Sequence, residues 1–386
     1  MIEDPREFRR QVVKGRGAVS NDSGRYEAYQ RVATDDGWPD DGWPGDNWPG
    51  DGEDAPAARL RTQITPDRAR KVITRNRSPD VPFDRSINPY RGCEHGCVYC
   101  FARPTHAWLG LSPGLDFETK LFAKHEAADL LRHELRRPGY EPRVIALGTN
   151  TDPYQPIERR LAITRRVLEV LAEARHPVSI VTKSDLILRD LDILAPMAEQ
   201  GLAKAYLSVT SLERDLARRM EPRAPTPQRR LAAIDALHAA GVPVGVLTAP
   251  LIPALNDSEL ERILAVAAAS GAGSAGYVLL RLPLEIKDLF NEWLEAHFPD
   301  RKARILKLVR ETRGGALYDP TWNKRQTGEG HFAKLLADRF DLACRRLGLH
   351  QREWKLRCDL FRPPSAEPRQ FDLFQPPNPG ERCNAG

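Results

Sequence analysis

Six short runs with strand character alternate with amphipathic stretches through the middle of this chain, and that alternation limits its fold more than any other feature. Residues 86–90, 144–148, 178–182, 205–210, 242–248 and 276–280 read as strands. Between them, 159–174, 188–200, 227–240 and 257–269 read as helices. In the first, Leu161, Val167, Leu168 and Leu171 recur at helical spacing. Gly201 and Gly241 stop the second and third, and Asn256 or Asp257 caps the fourth. Each strand follows its helix after a short turn. This is the βαβ rhythm of a parallel α/β sheet, closed as a barrel or open and doubly wound. In either form, chemistry gathers just past the C-terminal ends of the strands.

The ends of the chain differ from this body. Residues 1–75 are expected to form a disordered arm. Its repeat, Asp-Asp-Gly-Trp-Pro at 35–39 and 40–44 and Gly-Asp-Asn-Trp-Pro at 45–49, sets Pro at every fifth position and suits neither helix nor strand. Residues 76–315 form the βα body and 316–361 a helical extension. Residues 362–386, with six Pro, read as a disordered tail in extended conformation. Residues 35–55 carry eight acids and no Lys or Arg. Removing that −8 from the net +5 of the chain leaves +13 on the remainder, a balance suited to an anionic partner such as nucleic acid. Arg218-Arg219 and Arg229-Arg230 are candidate phosphate contacts. No apolar run approaches the roughly 20 residues of a membrane span. The first residues lack the layout of a secretory signal, and six Cys are too few for a disulfide scaffold, so a cytoplasmic protein with no membrane contact is expected.

Three of those Cys crowd together. The first strand runs into Arg91-Gly92-Cys93-Glu94-His95-Gly96-Cys97-Val98-Tyr99-Cys100, with spacing C-x3-C-x2-C. Three thiolates on a glycine-punctuated loop can converge on one soft metal centre. Three ligands are one short of a closed tetrahedral set. That leaves an open iron in a cubane cluster, or a zinc completed by another residue such as His95. Structural zinc usually draws on a second Cys pair, which the chain lacks, so the iron–sulfur reading is preferred. Cys344 reads as core filler on a helix.

A C-x3-C-x-aromatic-C loop directly after the first strand of a βα barrel resembles the radical SAM superfamily, over about residues 80–315. The resemblance implies a partial (βα)6 barrel. It also implies that Cys93, Cys97 and Cys100 hold three irons of a 4Fe–4S cluster. S-adenosylmethionine (SAM) would chelate the fourth and be cleaved reductively to a 5′-deoxyadenosyl radical. Tyr99 would lie beside the adenine. Thr149, Asn150 and Thr151, at the end of the second strand, would receive the methionyl amino group, with Asp152 and Glu158 as supports. Lys183 would pair with the methionyl carboxylate and Ser208 with a ribose hydroxyl. The segment from Pro250 to Asp257 would lie next to the nucleoside. An N-cap at Asp152 followed by Pro153 accounts for part of the same polar run without any ligand.

Within that superfamily, the run from Thr149 to Glu158, Thr182-Lys183-Ser184 and Arg219-Met220-Glu221-Pro222-Arg223 resemble the spore photoproduct lyase-like branch, which repairs DNA. Those lyases carry a hydrogen-donating Cys where this chain has Thr149. A hydroxyl cannot replace a thiol in that role, so the resemblance implies a relative acting on another substrate. An electron donor such as flavodoxin or ferredoxin is implied. In the tail, Gln370-Phe371-Asp372-Leu373-Phe374 resembles the bacterial sliding-clamp-binding peptide, in which Gln370, Leu373 and Phe374 would make the contacts. The competing reading is a non-enzymatic zinc or iron–sulfur nucleic-acid-binding protein. It explains the Cys loop and the charge, but leaves Lys183, Ser208 and the Thr-Asn-Thr-Asp run without a role.

Overall fold

The computed structural model describes residues 12–27, 60–349 and 354–365. Six parallel strands form its centre: β1 (Arg85–Ile87), β2 (Ile145–Leu147), β3 (Val178–Thr182), β4 (Ala203–Ser208), β5 (Val244–Leu251) and β6 (Ser274–Leu279). They lie side by side in chain order, and Ile73–Arg75 adds an antiparallel seventh strand on the outer edge of β1. The sheet is open, with β6 at its other edge. The register pairs Ile87 with Leu147, Leu147 with Ile180, Thr182 with Leu207 and Leu207 with Val246. All three residues of β2 are buried, as expected where helices cover a parallel sheet.

The helices follow the sequence pattern with two interruptions. The stretch read as one helix at 159–174 breaks at Ala162, whose φ of 50° is left-handed, so Ile163–Glu173 starts afresh. The buried Glu158 carboxylate satisfies that new start, accepting from the amides of Ile163 and Thr164 at 3.0 and 3.1 Å. The second helix, read at 188–200, opens with a 3-10 turn over Asp185–Asp190 before Leu191–Glu199. In the extension, Gly330–Leu347 buries Ala333, Leu336, Phe340, Ala343 and Cys344 along one stripe. It is tied to the helix Leu260–Ala269 by the Arg339–Glu261 ion pair at 2.7 Å. Cys344 is thus core, as its helical position suggests.

Both expected loose ends contribute packed structure. Within 1–75, Ala18, Val19 and Val72 are buried, and Gln63–Pro66 pairs in parallel with Lys120–Ala123 in a second, three-stranded sheet. That sheet also holds Tyr90–Arg91, the approach to the cysteine loop. Composition suggested a solvated arm because Gly and charge are frequent, but polar groups that find buried partners pack well. At the other end, residues 354–365 form a strap. Arg357 N donates to Gly201 O, Arg362 N to Ala174 O, and Ser365 Oγ to Glu173. The first residues of the expected tail are therefore fixed to the body. The Trp-Pro repeat and the clamp-like motif at Gln370, Leu373 and Phe374 lie outside the described residues.

Candidate active site

The cysteine loop leaves the end of β1 and wraps around a buried guanidinium. Arg103 donates from Nε to Cys97 O at 2.8 Å and from Nη2 to Gly96 O at 3.2 Å. Its Nη1 donates to the carbonyls of Pro113 and Gly114, and its Nη2 also reaches the Glu118 carboxylate. Arg103 and Glu118 are both fully buried. A buried ion pair is tolerable only when its remaining donors and acceptors are satisfied, and here they are. The loop carbonyls thus face Arg103.

The polar run after β2 cradles the same loop from the other side. The Thr151 hydroxyl donates to Tyr90 O at 2.9 Å, and Gln155 donates to Gly92 O while accepting from Glu94 N at 2.9 Å. The Tyr90 hydroxyl donates to Glu158. Asp152 accepts from the Thr182 hydroxyl at 2.6 Å and from Lys183 N at 2.8 Å, and faces His95 Nδ1 at 3.3 Å. Burial alone would raise its carboxyl. His95, Thr182 and the Lys183 amide outweigh that and bring it down to about 2. Asp152 therefore joins the ends of β2 and β3 to the cysteine loop.

The residues of this run are placed differently from one another. Thr151 is buried, and its proton is committed to a carbonyl. Thr149 and Asn150 are half-buried, and the Asn150 amide donates to Asn88 Oδ1 at 3.1 Å. His95, the candidate fourth zinc ligand, is turned toward Asp152. The N-cap reading of Asp152 was close, since it accepts from Tyr154 N, but its second oxygen serves β3.

Cys93 and Cys97 are buried and Cys100 is half-buried, all as free thiols. Burial is the largest influence on each and pushes all three up, Cys97 to about 12. The other two thiols add to the rise at Cys93, so the three sulfurs lie within electrostatic reach of one another. Among the described residues, no three His, Cys, Asp or Glu side chains converge closely enough to hold a single metal ion. Soft thiol donors that repel one another when ionised suit a cationic centre. A cubane bound through three thiolates fits that donor set, and its binding would displace their protons.

Beyond the thiols lies a buried polar network. Lys183, at the end of β3, holds its ammonium 5.8 Å above the Tyr99 ring. Burial opposes its charge, but Cys97, Glu221 and Asp152 outweigh burial and hold its pKa above the ordinary value. The Tyr99 hydroxyl donates to Glu221, which also accepts from the Thr210 hydroxyl at 2.8 Å and pairs with the fully buried Arg230. Burial would raise the Glu221 carboxyl. Arg230 and Lys183, then the two hydroxyls, outweigh it and hold the group below its usual range. Ser208 is buried, and its carbonyl accepts from Arg230 at 3.1 Å. Asn256 links the loops after β4 and β5, donating to Thr210 O and Pro250 O.

Lys183 and Tyr99 meet, and Ser208 joins the same network through its carbonyl on Arg230; Glu221 and Arg230 are site residues that the sequence pattern does not single out. Arg230 is no phosphate contact. Arg229 pairs with Asp185 at 2.5 Å, and Arg219 lies over Phe298. Arg230 is thus spent on an internal partner, while Arg218, Arg219 and Arg229 stay exposed.

Residues 87–267 match the family described as the Radical SAM superfamily. The uncharacterized protein Rv2578c of Mycobacterium tuberculosis is 42% identical over 60% of this chain and 68% of its own length. The uncharacterized protein MJ0683 of Methanocaldococcus jannaschii is 26% identical over 62% of this chain and 85% of its own length. The chain belongs to the radical SAM superfamily. Within it, the fold is similar to that of spore photoproduct lyase complexed with dinucleoside spore photoproduct, with a TM-score of 0.53 and 16% identity over 74% of this chain and 78% of that one.

Proposed function

We propose that this protein is a radical SAM enzyme holding a 4Fe–4S cluster on Cys93, Cys97 and Cys100 and acting on nucleic acid. The observation that carries the reading is the loop of three free thiols past β1, two buried and one half-buried, with the Lys183 ammonium at the end of β3 over the Tyr99 ring of that loop. When bound there, the cluster supplies one electron to cleave SAM to methionine and a 5′-deoxyadenosyl radical.

The chain's own residues supply position and charge. Lys183 is the cation available to a methionyl carboxylate, because its neighbours keep it protonated. The Thr149 and Asn150 side chains stand at the half-buried rim of β2, where a methionyl amino group would be received. Tyr99, locked by Glu221, offers a ring face rather than a free hydroxyl. Asp152 and Arg103 fix the loop that carries the thiols. A nucleic-acid substrate is supported by the +13 balance outside the acidic stretch and by the likeness in fold to a lyase solved with a dinucleoside photoproduct. A flavodoxin- or ferredoxin-like protein would deliver the electron, and the clamp-like motif 370–374 would bring the enzyme to a sliding clamp.

The test is anaerobic reconstitution followed by incubation with SAM and dithionite. Four irons per chain and formation of 5′-deoxyadenosine are expected, both lost in Cys93→Ala, Cys97→Ala or Cys100→Ala and kept in Cys344→Ala. A colourless protein with one zinc per chain would instead favour the non-enzymatic reading.

A further inference from the structure

Four large apolar side chains exposed among the described residues, Tyr26, Phe101, Trp108 and Leu284, gather on three segments beside the cysteine loop. Phe101 directly follows Cys100 and is 44% exposed, and Trp108 is 72% exposed on the short 3-10 helix Arg103–Leu109. Tyr26, 56% exposed, meets the Trp108 ring at 5.3 Å. Gly24 packs against Ala107 and the Leu111 carbonyl, which fixes that approach. Arg25 lies over the Tyr26 ring and reaches Glu285 at 2.6 Å. Four residues earlier, the Arg281 guanidinium sits 5.1 Å above the Phe101 ring. The contacts thus close a circuit from Trp108 through Tyr26, Arg25 and the loop after β6 back to Phe101.

The loop after β6 also carries unneutralised charge. Arg281 pairs with no carboxylate among the described residues, and its buried Nε has no hydrogen-bond partner. Its neighbour across the loop, Arg313, donates to the carbonyls of Leu279 and Leu280 and likewise keeps a buried, unpartnered Nε. Burial and then the nearby Arg281 bring Arg313 down to about 10 against the opposing pull of Asp319, so two guanidiniums share this corner. Leu284, in the same loop, holds a left-handed backbone with φ of 54° while the residue is 47% exposed. Exposed rings with interleaved guanidiniums are what a flexible polyanion with stackable bases requires. An acidic peptide would use the charge but not the rings.

We propose that Tyr26, Trp108, Phe101 and Arg281 form a binding platform for single-stranded or locally unpaired nucleic acid, with bases stacked on the rings and a phosphate at Arg281. This deepens the nucleic-acid reading above and rests on it. It puts an unstacked base beside Cys100, at the end of the sheet where the thiols lie.

The experiment is fluorescence anisotropy of a labelled single-stranded oligonucleotide titrated with the full-length protein, without SAM or reductant. Binding is expected to tighten as salt is lowered. Trp108→Ala and Phe101→Ala should each weaken it about tenfold, and Trp108→Phe should restore most of the loss, since any aromatic face can stack. Arg281→Gln should weaken binding and reduce the slope of log Kd against log salt by about one. Phe101 and Trp108 are exposed and Arg281 is half-buried, so the variants should fold, which circular dichroism verifies. Equal binding by Trp108→Ala and the parent protein, or equal binding of poly-glutamate, would overturn the platform. Because the titration needs no cluster chemistry, its failure leaves SAM cleavage standing, and failure of SAM cleavage leaves a measured binding standing.

Discussion

Gly17 lies so close to Gly96 that a Cβ on Gly17 would come 1.7 Å from the Gly96 carbonyl oxygen. The N-terminal segment is therefore laid directly on the turn between Cys93 and Cys97. Glu118 completes the clasp, accepting from the amides of Gly17 and Ala18 at 3.0 and 2.9 Å, while Arg16 donates to the Glu118 carbonyl. The clasp and the Asp152 side of the cradle hold the cysteine loop from two directions.

Gly17→Ala should push this segment off the loop, because the atom it would strike is backbone and cannot rotate away. Overpacking of this kind costs roughly 1–3 kcal/mol. The expected result is a protein that folds but retains well under four irons per chain after reconstitution, with the peptide bonds near residues 93–100 newly open to limited proteolysis. Full iron content and unchanged protease resistance would show that the clasp does not hold the loop.

Among the described residues, Glu221 is the only carboxylate paired with the buried Arg230. Glu221→Gln keeps acceptors for Tyr99 and Thr210 but leaves the guanidinium uncompensated, a change worth about 3–5 kcal/mol. Urea unfolding should report that loss. The double variant Glu221→Gln, Arg230→Met should recover most of it, since it removes the orphaned charge. Additive losses in the double variant would mean that the pair does not act as a unit.

Lys183→Ala should weaken SAM binding by roughly 10- to 100-fold, the scale of one partly desolvated charge-assisted hydrogen bond. Lys183 also contacts Tyr99, so a packing loss must be separated from a charge loss. Lys183→Met keeps the aliphatic stem without the charge and should behave like Ala in isothermal titration with SAM, with iron content unchanged. Native-like affinity in the Met variant would remove the ammonium from the SAM site.

The strand positions were legible in the sequence because apolar runs in a parallel sheet are buried on both faces, and β3 is placed at the bounds its Val, Ile and Thr suggest. The thiol loop was legible because its ligands are adjacent in sequence. The partners of that loop were not. Arg103 and Glu118 are ordinary charged residues in sequence, and Glu221 and Arg230 stand nine apart, a spacing that matches neither helix nor strand contacts. Burial turns such residues into site elements, and no local pattern reports it. In the run from Thr149 to Glu158, the supporting role read for Asp152 and Glu158 agrees with the bonds they make, while the loop-holding bonds of Thr151 and Gln155 leave no local pattern. Residues 12–27 were read as loose because a segment that packs through amides and one Arg carries little apolar signal.

Stability should fall in mild acid because of His176. Its ring is fully buried between Tyr140, whose hydroxyl lies 2.8 Å from Nε2, and Phe361 of the C-terminal strap. Burial is the main cause that lowers its pKa from 6.5 to about 4, with the Pro177 carbonyl opposing and Arg85 adding. The folded state therefore refuses a proton that the unfolded chain accepts. The stability tied to the neutral ring is present above pH 6.5 and is lost progressively as pH falls toward 4, by up to about 3 kcal/mol at 1.36 kcal/mol per unit. His176→Phe removes the titration and should flatten part of that decline, while filling the space between Tyr140 and Phe361. Urea midpoints measured at half-unit steps from pH 7.5 to 4 will decide. Parallel curves for the parent and His176→Phe would assign the acid sensitivity to another group.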